Sequence, residues 1–296
     1  MSGRDANHIG GFQRRSNRVR FEGGNGFALA GIVDRPTPVD EQGSEPAPLP
    51  YPVAVFSHCF TCNKDLKAIT RISRGLAERG ITVLRFDMTG LGGSEGDFSQ
   101  TNFSTNLADL AAAIRFADES LGPVSALIGH SFGGAASLAT AAGMPIPSGI
   151  SLPEELRLQL KAVISIAAPS DTKHLADLLE RMNPEIESQG RGDVVIGGMT
   201  WTICREMLAD FRSHSLADHL NRIRSQVLAF HSPVDQTLGY DHALRISGLI
   251  EDEKGLPGCS LITLSGADHL LIKNPADAEL ITQMSAAFLH RYATDR

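Results

Sequence analysis

Long apolar runs are missing from this chain of 296 residues. None approaches the ~20 residues that a membrane-spanning helix needs, and the polar N-terminus has no signal-peptide core. We therefore expect a cytoplasmic protein with no membrane partner. Blocks of positive charge are missing too. Beyond Arg14-Arg15 and the nearby Arg18 and Arg20, the basic residues are scattered, and the formal net charge is −7. A surface of that kind argues against a nucleic-acid partner. Cysteine is scarce: Cys59, Cys62, Cys204 and Cys259 are the four present, and in a cytoplasmic protein they are expected to be free thiols. Tryptophan occurs once, at Trp201, and no internal repeat is visible.

What is there is ordinary globular composition, 42% hydrophobic and 21% charged, with length for a large core. Arg18–Glu22 and Phe27–Asp34 flank Gly23-Gly24-Asn25-Gly26 and read as a β-hairpin. The proline-rich stretch Arg35–Pro52 reads as a surface loop. Val53–Phe56, Ile81–Phe86, Ser125–Ile128, Lys161–Ala167, Gln226–Phe230 and Ser260–Leu264 are short apolar runs suited to buried strands. Helical patterns alternate with them, at Asp65–Gly80, Asn106–Ser120 and Ala276–Tyr292, so βαβ units and a mainly parallel sheet are expected. Nearly sixty residues separate the strands at Lys161–Ala167 and Gln226–Phe230, far more than one crossover helix requires. Within them, two β-prone segments around Gly197-Gly198 read as a small hairpin. The expected division is a flexible N-terminus at 1–17, a core formed by 18–170 and 224–296, and a cap-like insertion at 171–223 over the sheet's C-terminal edge.

Gly129-His130-Ser131-Phe132-Gly133 reads G-x-S-x-G between a strand and a helix. In that context the pattern is a nucleophile elbow. A serine on so sharp a turn sits in strained backbone, and side chains at the two glycines would collide where strand and helix meet. A serine nucleophile needs a neighbouring base, and the base needs an orienting acid. His269, in Gly266-Ala267-Asp268-His269 after the last strand, is the expected base. Asp235, in His231-Ser232-Pro233-Val234-Asp235, is the expected acid; Asp171, the rival, is read as a helix cap. Asp268 is read as a loop hydrogen-bonder and His130 as structural. The oxyanion hole is expected from the amides of Phe132 and Phe60, with Cys59 as the alternative to Phe60. Met199, Trp201, Met207 and Phe211 are the candidate substrate-pocket residues. Cys59-Phe60-Thr61-Cys62 is a C-x-x-C, which suits a redox pair or part of a metal site. Zinc would want further ligands in register, so a packed loop of small thiols is the preferred reading and no metal is expected. Asp87 before Gly90-Leu91-Gly92-Gly93 is not spaced as a dinucleotide motif.

The chain order Ser, Asp, His, together with Phe56–Asp65, Arg85–Gly96 and the two later segments, resembles the α/β-hydrolase superfamily. The wording Ser57-His58-Cys59-Phe60-Thr61-Cys62-Asn63-Lys64-Asp65, with Leu84–Phe98 and Asn102–Asn106, is similar to the hydrolase domain found fused to OsmC-type domains in bacteria. The likeness covers about residues 50–292, and an OsmC-type segment is not among the 296 residues. It implies an α/β-hydrolase fold: a mostly parallel doubly wound sheet with a small cap insertion between the sixth and seventh strands. It implies a serine hydrolase, a carboxylesterase acting on a small-molecule ester, with no cofactor and with a homodimer left open. Thioesterase, amidase or peptidase activity on the same residues, a hydrolase-fold binding protein with negligible turnover, and a thiol-redox protein are the alternatives.

Overall fold

The computed structural model describes residues 12–38, 51–146, 151–252, 254–256 and 258–294. Its elements in chain order are β1 (Phe12–Glu22), β2 (Ala28–Pro38), β3 (Val53–Ser57), α1 (Lys67–Ala77), β4 (Thr82–Phe86), α2 (Phe103–Leu121), β5 (Val124–His130), α3 (Phe132–Ala141), α4 (Glu154–Leu158) and β6 (Ala162–Ile166). There follow α5 (Lys173–Met182), α6 (Glu185–Gln189), β7 (Arg191–Ile196), β8 (Met199–Cys204), α7 (Arg205–Ser213), β9 (Gln226–His231), α8 (Asp241–Leu249), β10 (Cys259–Thr263) and α9 (Pro275–Tyr292).

Eight strands form one sheet in the order β1-β2-β4-β3-β5-β6-β9-β10. Pairing from β4 to β10 is parallel throughout, and β1 and β2 join as an antiparallel edge. The central strands read as unbroken apolar runs because both of their faces are covered. In β3, Val53 and Val55 enter one core, whereas Ala54 and Phe56 enter the other, as a period of two demands. The first core lies under α2, α3 and α7, and the second under α1 and α9.

The elements at the edge extend further than the sequence indicates. β1 starts at Phe12 and pairs with β2 as far as Pro38. Residues 12–17 are therefore strand and not a loose terminus, while 1–11 lie outside the described residues. Likewise the expected loop Arg35–Pro52 begins as strand through Pro38, and 39–50 are outside the described residues. Apart from the buried Phe21, β1 carries only half-buried and exposed side chains, a polar edge pattern that composition does not separate from coil.

Between the sixth and seventh strands of the main sheet, β6 and β9, lie α5, α6, the antiparallel β7–β8 hairpin and α7. The hairpin turns at Gly197-Gly198, with φ of 61° and 79°. A two-residue turn whose central residues both have positive φ matches the twist of the flanking strands, and glycine adopts it without cost.

The strand order fixes where a ligand can sit. From β3 the chain moves to β4 on one side and then crosses back to β5 on the other. A crevice opens beyond the carboxyl ends of β3 and β5, at this reversal. Ser57, the last residue of β3, pairs with Gly129 of β5. The segment starting at His58 is thereby brought beside Ser131.

Candidate active site

Ser131 lies between β5 and α3 with φ 53° and ψ −118°. These are the dihedrals of the first central position of a type II′ turn, which glycine adopts freely and serine does not. Strain of this kind costs about 1–3 kcal/mol, and the packing around it maintains the geometry. A Cβ on Gly129 would come within 2.2 Å of the Gly133 carbonyl oxygen, and one on Gly133 within 2.3 Å of the Ser57 carbonyl oxygen. Both positions of the motif therefore exclude any side chain, as the sequence reading anticipates.

His269 follows β10 and brings both ring nitrogens into use. Its Nδ1 is 2.7 Å from Asp235 Oδ2, and its Nε2 is 2.9 Å from Ser131 Oγ. An ionised carboxylate only accepts, so Nδ1 carries the proton and Nε2 is left to accept from the serine hydroxyl. Asp235, whose side chain is 1% exposed, also accepts from the amides of Thr237 and Leu238 through Oδ1. Burial opposes its ionisation, but the His269 hydrogen bond and charge, with those two amides, hold its carboxyl below the usual range.

Two further histidines support this arrangement. His130 Nε2 donates to the His269 carbonyl oxygen at 2.7 Å, which ties the backbone of His269 to the end of β5. Burial, reinforced by the nearby His269, pushes the His130 pKa down to about 3, so this donor stays neutral. His58 Nδ1 donates to the Cys59 carbonyl oxygen at 2.8 Å, and Nε2 accepts from the Met88 amide at 3.1 Å. Burial lowers its pKa as well. The loop after β3 is held further along by Asp87, which accepts from the Lys64 amide at 2.6 Å, Lys64 Nζ at 2.7 Å and the Gly93 amide at 2.8 Å. Asp87 thus anchors two loops.

The amides of Phe60 and Phe132 have no hydrogen-bond partner among the described residues. Phe132 opens α3, where the first amides have no partner within the helix. The Phe60 and Phe132 rings meet edge to face, with centroids 5.5 Å apart. Asp268 accepts from the amides of Ile272 and Lys273, the loop role read from sequence. Asp171 accepts from the His174 amide in the first turn of α5, although the N-cap position itself is Thr172 and not Asp171.

One correction concerns the cysteines. Cys59 and Cys62 form a disulfide, and only Cys204 and Cys259 are free. The Cys62 amide bonds the Cys59 carbonyl oxygen at 3.1 Å. That turn brings the two Cα atoms to 5.3 Å, within bridging range.

A second correction concerns the pocket. A cavity of about 1120 Å³ includes Ser131, Phe132, His269 and the Cys59–Cys62 turn. Of the four residues expected to line it, only Met199 does. Met207 and Phe211 are fully buried in the core beneath α7. Trp201 packs on Phe98, ring centroids 4.8 Å apart, and donates from Nε1 to the Ile196 carbonyl oxygen. The apolar lining instead comes from Leu175, Leu178, Leu179 and Met182 of α5, with Val195 and Ile196 of the hairpin. Their spacing in α5 was the available signal, since positions three and four apart share a helix face.

Comparison with known proteins agrees with this architecture. Residues 54–279 match the model of the alpha/beta hydrolase family. The esterase domain of a Rhodothermus marinus protein is 35% identical, with a TM-score of 0.68 over 95% of this chain and 100% of that one. Est1E from Butyrivibrio proteoclasticus, solved with ferulic acid bound, is 21% identical, with a TM-score of 0.72 over 92% and 98%. The alpha/beta hydrolase GrgF from Penicillium sp. sh18 is 19% identical, with a TM-score of 0.69 over 94% and 99%. These last two likenesses are of fold. No curated protein matches the chain. The parallel sheet, the glycine-bounded turn after its central strand and the family match over most of the length lead to one statement: the chain belongs to the alpha/beta hydrolase family.

Proposed function

We propose that this hydrolase is a serine carboxylesterase that cleaves small-molecule esters through an acyl-enzyme. The observation that carries the proposal is the continuous hydrogen-bonded line from Ser131 Oγ through His269 to Asp235, at 2.9 Å and 2.7 Å. Ser131 attacks the acyl carbon as His269 Nε2 takes the hydroxyl proton. Asp235 holds the ring in the required tautomer and stabilises the imidazolium. The Phe60 and Phe132 amides receive the oxyanion, a task worth about 3–4 kcal/mol per donor in a related site. The alcohol leaves with the proton from His269, and water then repeats the sequence on the acyl-enzyme.

The apolar part of the cavity wall supports a substrate with an apolar acyl group. Leu178, Met182, Val195 and Met199 remain exposed at its lining, a surface suited to an acyl chain. A length series of p-nitrophenyl esters, run with a fluorophosphonate probe, tests this reading. Leu178→Glu should reduce kcat/KM for a longer acyl chain at least about tenfold more than for acetyl, the size of effect expected from losing apolar pocket contacts. Trp201→Ala should instead cost about 2 kcal/mol of stability and leave the ranking of the series unchanged. A ranking altered by Trp201→Ala and untouched by Leu178→Glu would return the pocket to the hairpin's tryptophan.

His130 acts in this scheme as a positioning residue. His130→Phe keeps a ring of similar size but removes the donor to the His269 carbonyl. Displacement of the base should lower kcat roughly 10- to 100-fold with KM nearly unchanged. His130→Gln, which retains a donor, should recover part of the loss. Equal kcat in all three proteins would reduce His130 to packing.

A further inference from the structure

Cys59 and Cys62 bracket Phe60, the residue proposed to supply one oxyanion donor, and both line the cavity that holds Ser131 and His269. We propose that the Cys59–Cys62 disulfide is a redox-modification site facing the substrate cavity, and that its reduction by a small dithiol lowers turnover by releasing the Phe60 amide from its position. The inference rests on the ester-hydrolase reading above.

The two ends of this turn are held differently. The Cys59 end is fixed from several sides: Cys59 is 4% exposed, its carbonyl takes the His58 bond, and the carbonyls of Ser57 and His58 pack where a Cβ of Gly133 would be. Between the cysteines, Thr61 has φ 58°. A β-branched residue rarely adopts that region, so the turn is strained at this residue. Cys62 is only half-buried. Its covalent link to Cys59 and its amide bond to the Cys59 carbonyl are what tie this end back across Thr61. Beyond it, the next anchor is the Lys64 amide on Asp87. With the disulfide cut, Thr61 can relax toward negative φ, opposed only by non-covalent contacts: the Cys62 amide bond, the bond from the Thr61 hydroxyl to the Phe60 carbonyl oxygen, and the packing of the Phe60 ring on Phe98, Phe132 and Phe211. Phe60 is the adjacent residue, and an oxyanion donor works only when it is aimed before the charge develops.

Access favours attack at Cys62. A thiolate entering the cavity attacks Cys62 Sγ, the Sγ–Sγ bond breaks, and Cys59 leaves as the thiolate. The second thiol of the reductant then attacks its own mixed-disulfide sulfur, frees Cys62, and closes the reductant into a cyclic disulfide. Two electrons and two protons pass from the dithiol to the protein, whose cysteines both end as thiols. In a thiol-rich compartment an accessible disulfide is open to this exchange, so the oxyanion loop would register the redox state around it.

The experiment compares two-thiol and four-thiol forms of the whole protein. The oxidised chain should titrate two thiols when denatured, Cys204 and Cys259. After dithiothreitol treatment and desalting it should titrate all four cysteines. The four-thiol form should show kcat for a p-nitrophenyl ester lowered by about tenfold or more, with KM changed less, since losing an oxyanion donor outright costs on the order of 10²–10³ in kcat. Reoxidation with diamide should restore both the two-thiol count and kcat. Cys62→Ser should sit at the low kcat and ignore dithiothreitol. If that variant does not fold, the reversible cycle of the unaltered protein decides. A four-thiol form with kcat within about twofold of the oxidised form overturns the proposal, because a displaced donor costs more than that. The rate of fluorophosphonate labelling at Ser131, measured on both forms, separates this result from failure of the ester reading. Labelling that slows on reduction in a protein that turns over no ester upholds the redox site and removes the ester assignment. Labelling and turnover that are both insensitive to reduction remove the redox site alone.

Discussion

Ser131→Ala should lose on the order of 10⁶-fold in kcat, the loss seen when the nucleophile of a comparable triad is removed, and it should stay folded. The hydroxyl's hydrogen bond is to His269 Nε2 at the cavity, and no core contact depends on it. Stability should respond to the backbone instead. Ser131 and Ala both carry a Cβ at φ 53°, so alanine should melt close to the parent. Ser131→Gly should melt higher by about 1 kcal/mol, because only glycine adopts those dihedrals without strain. The same substitution should be as inactive as alanine. Loss of turnover with retained or increased stability separates a reacting atom from a structural one. Peptide mapping of fluorophosphonate-labelled protein gives the decisive reading. Label on a serine other than 131, with Ser131 unmodified, would remove the nucleophile assignment.

The parts of this molecule that were legible in the sequence are those governed by local chemistry. The central strands stand out because a strand buried on both faces must be apolar without interruption, as in the fully buried β3 and β5. The elbow stands out because Gly129 and Gly133 leave no room for a Cβ. Asp235 and His269 stand out because each closely follows a strand at the sheet's C-terminal edge. What was hidden depends on contacts far apart in sequence or on the choice between faces of one helix. His130 meets a carbonyl 139 residues away, and nothing near His130 signals it. Asp87 holds Lys64 across 23 residues, so in sequence it is only a carboxylate before a glycine-rich turn. Met207 and Phe211 are four apart on α7, and that spacing places them on one face without saying that the face is core. The disulfide is hidden for another reason: a reducing compartment argues for free thiols, whereas locally a C-x-x-C turn brings the two sulfurs together.

Asp235→Asn should keep the fold and lose about four orders of magnitude in kcat, the cost of a mispositioned tautomer in a related triad, whereas Asp171→Asn should keep turnover. The difference follows from what each carboxylate accepts. Asp235 Oδ2 accepts from His269 Nδ1. An asparagine there can present an N–H to that nitrogen, which moves the ring proton to Nε2 and leaves no base for Ser131. Asp171 accepts from the His174 amide and lies 3.6 Å from Arg245 Nη1, with no contact to His269. Its contribution is to stability and depends on pH. The His174 hydrogen bonds, outweighing partial burial, bring the Asp171 carboxyl down to about 2. A carboxylate with a folded pKa below its unfolded value adds stability above the unfolded value, about 3.9 for aspartate, and loses it as pH falls through the folded one. The melting temperature of Asp171→Asn should therefore lie below the parent's at pH 7, and the gap should close between about pH 4 and pH 2. Asp235→Asn should show its loss of turnover at pH 7 and above, where the parent carboxylate is fully ionised. Loss of turnover in Asp171→Asn with activity retained in Asp235→Asn would transfer the acid to the earlier strand.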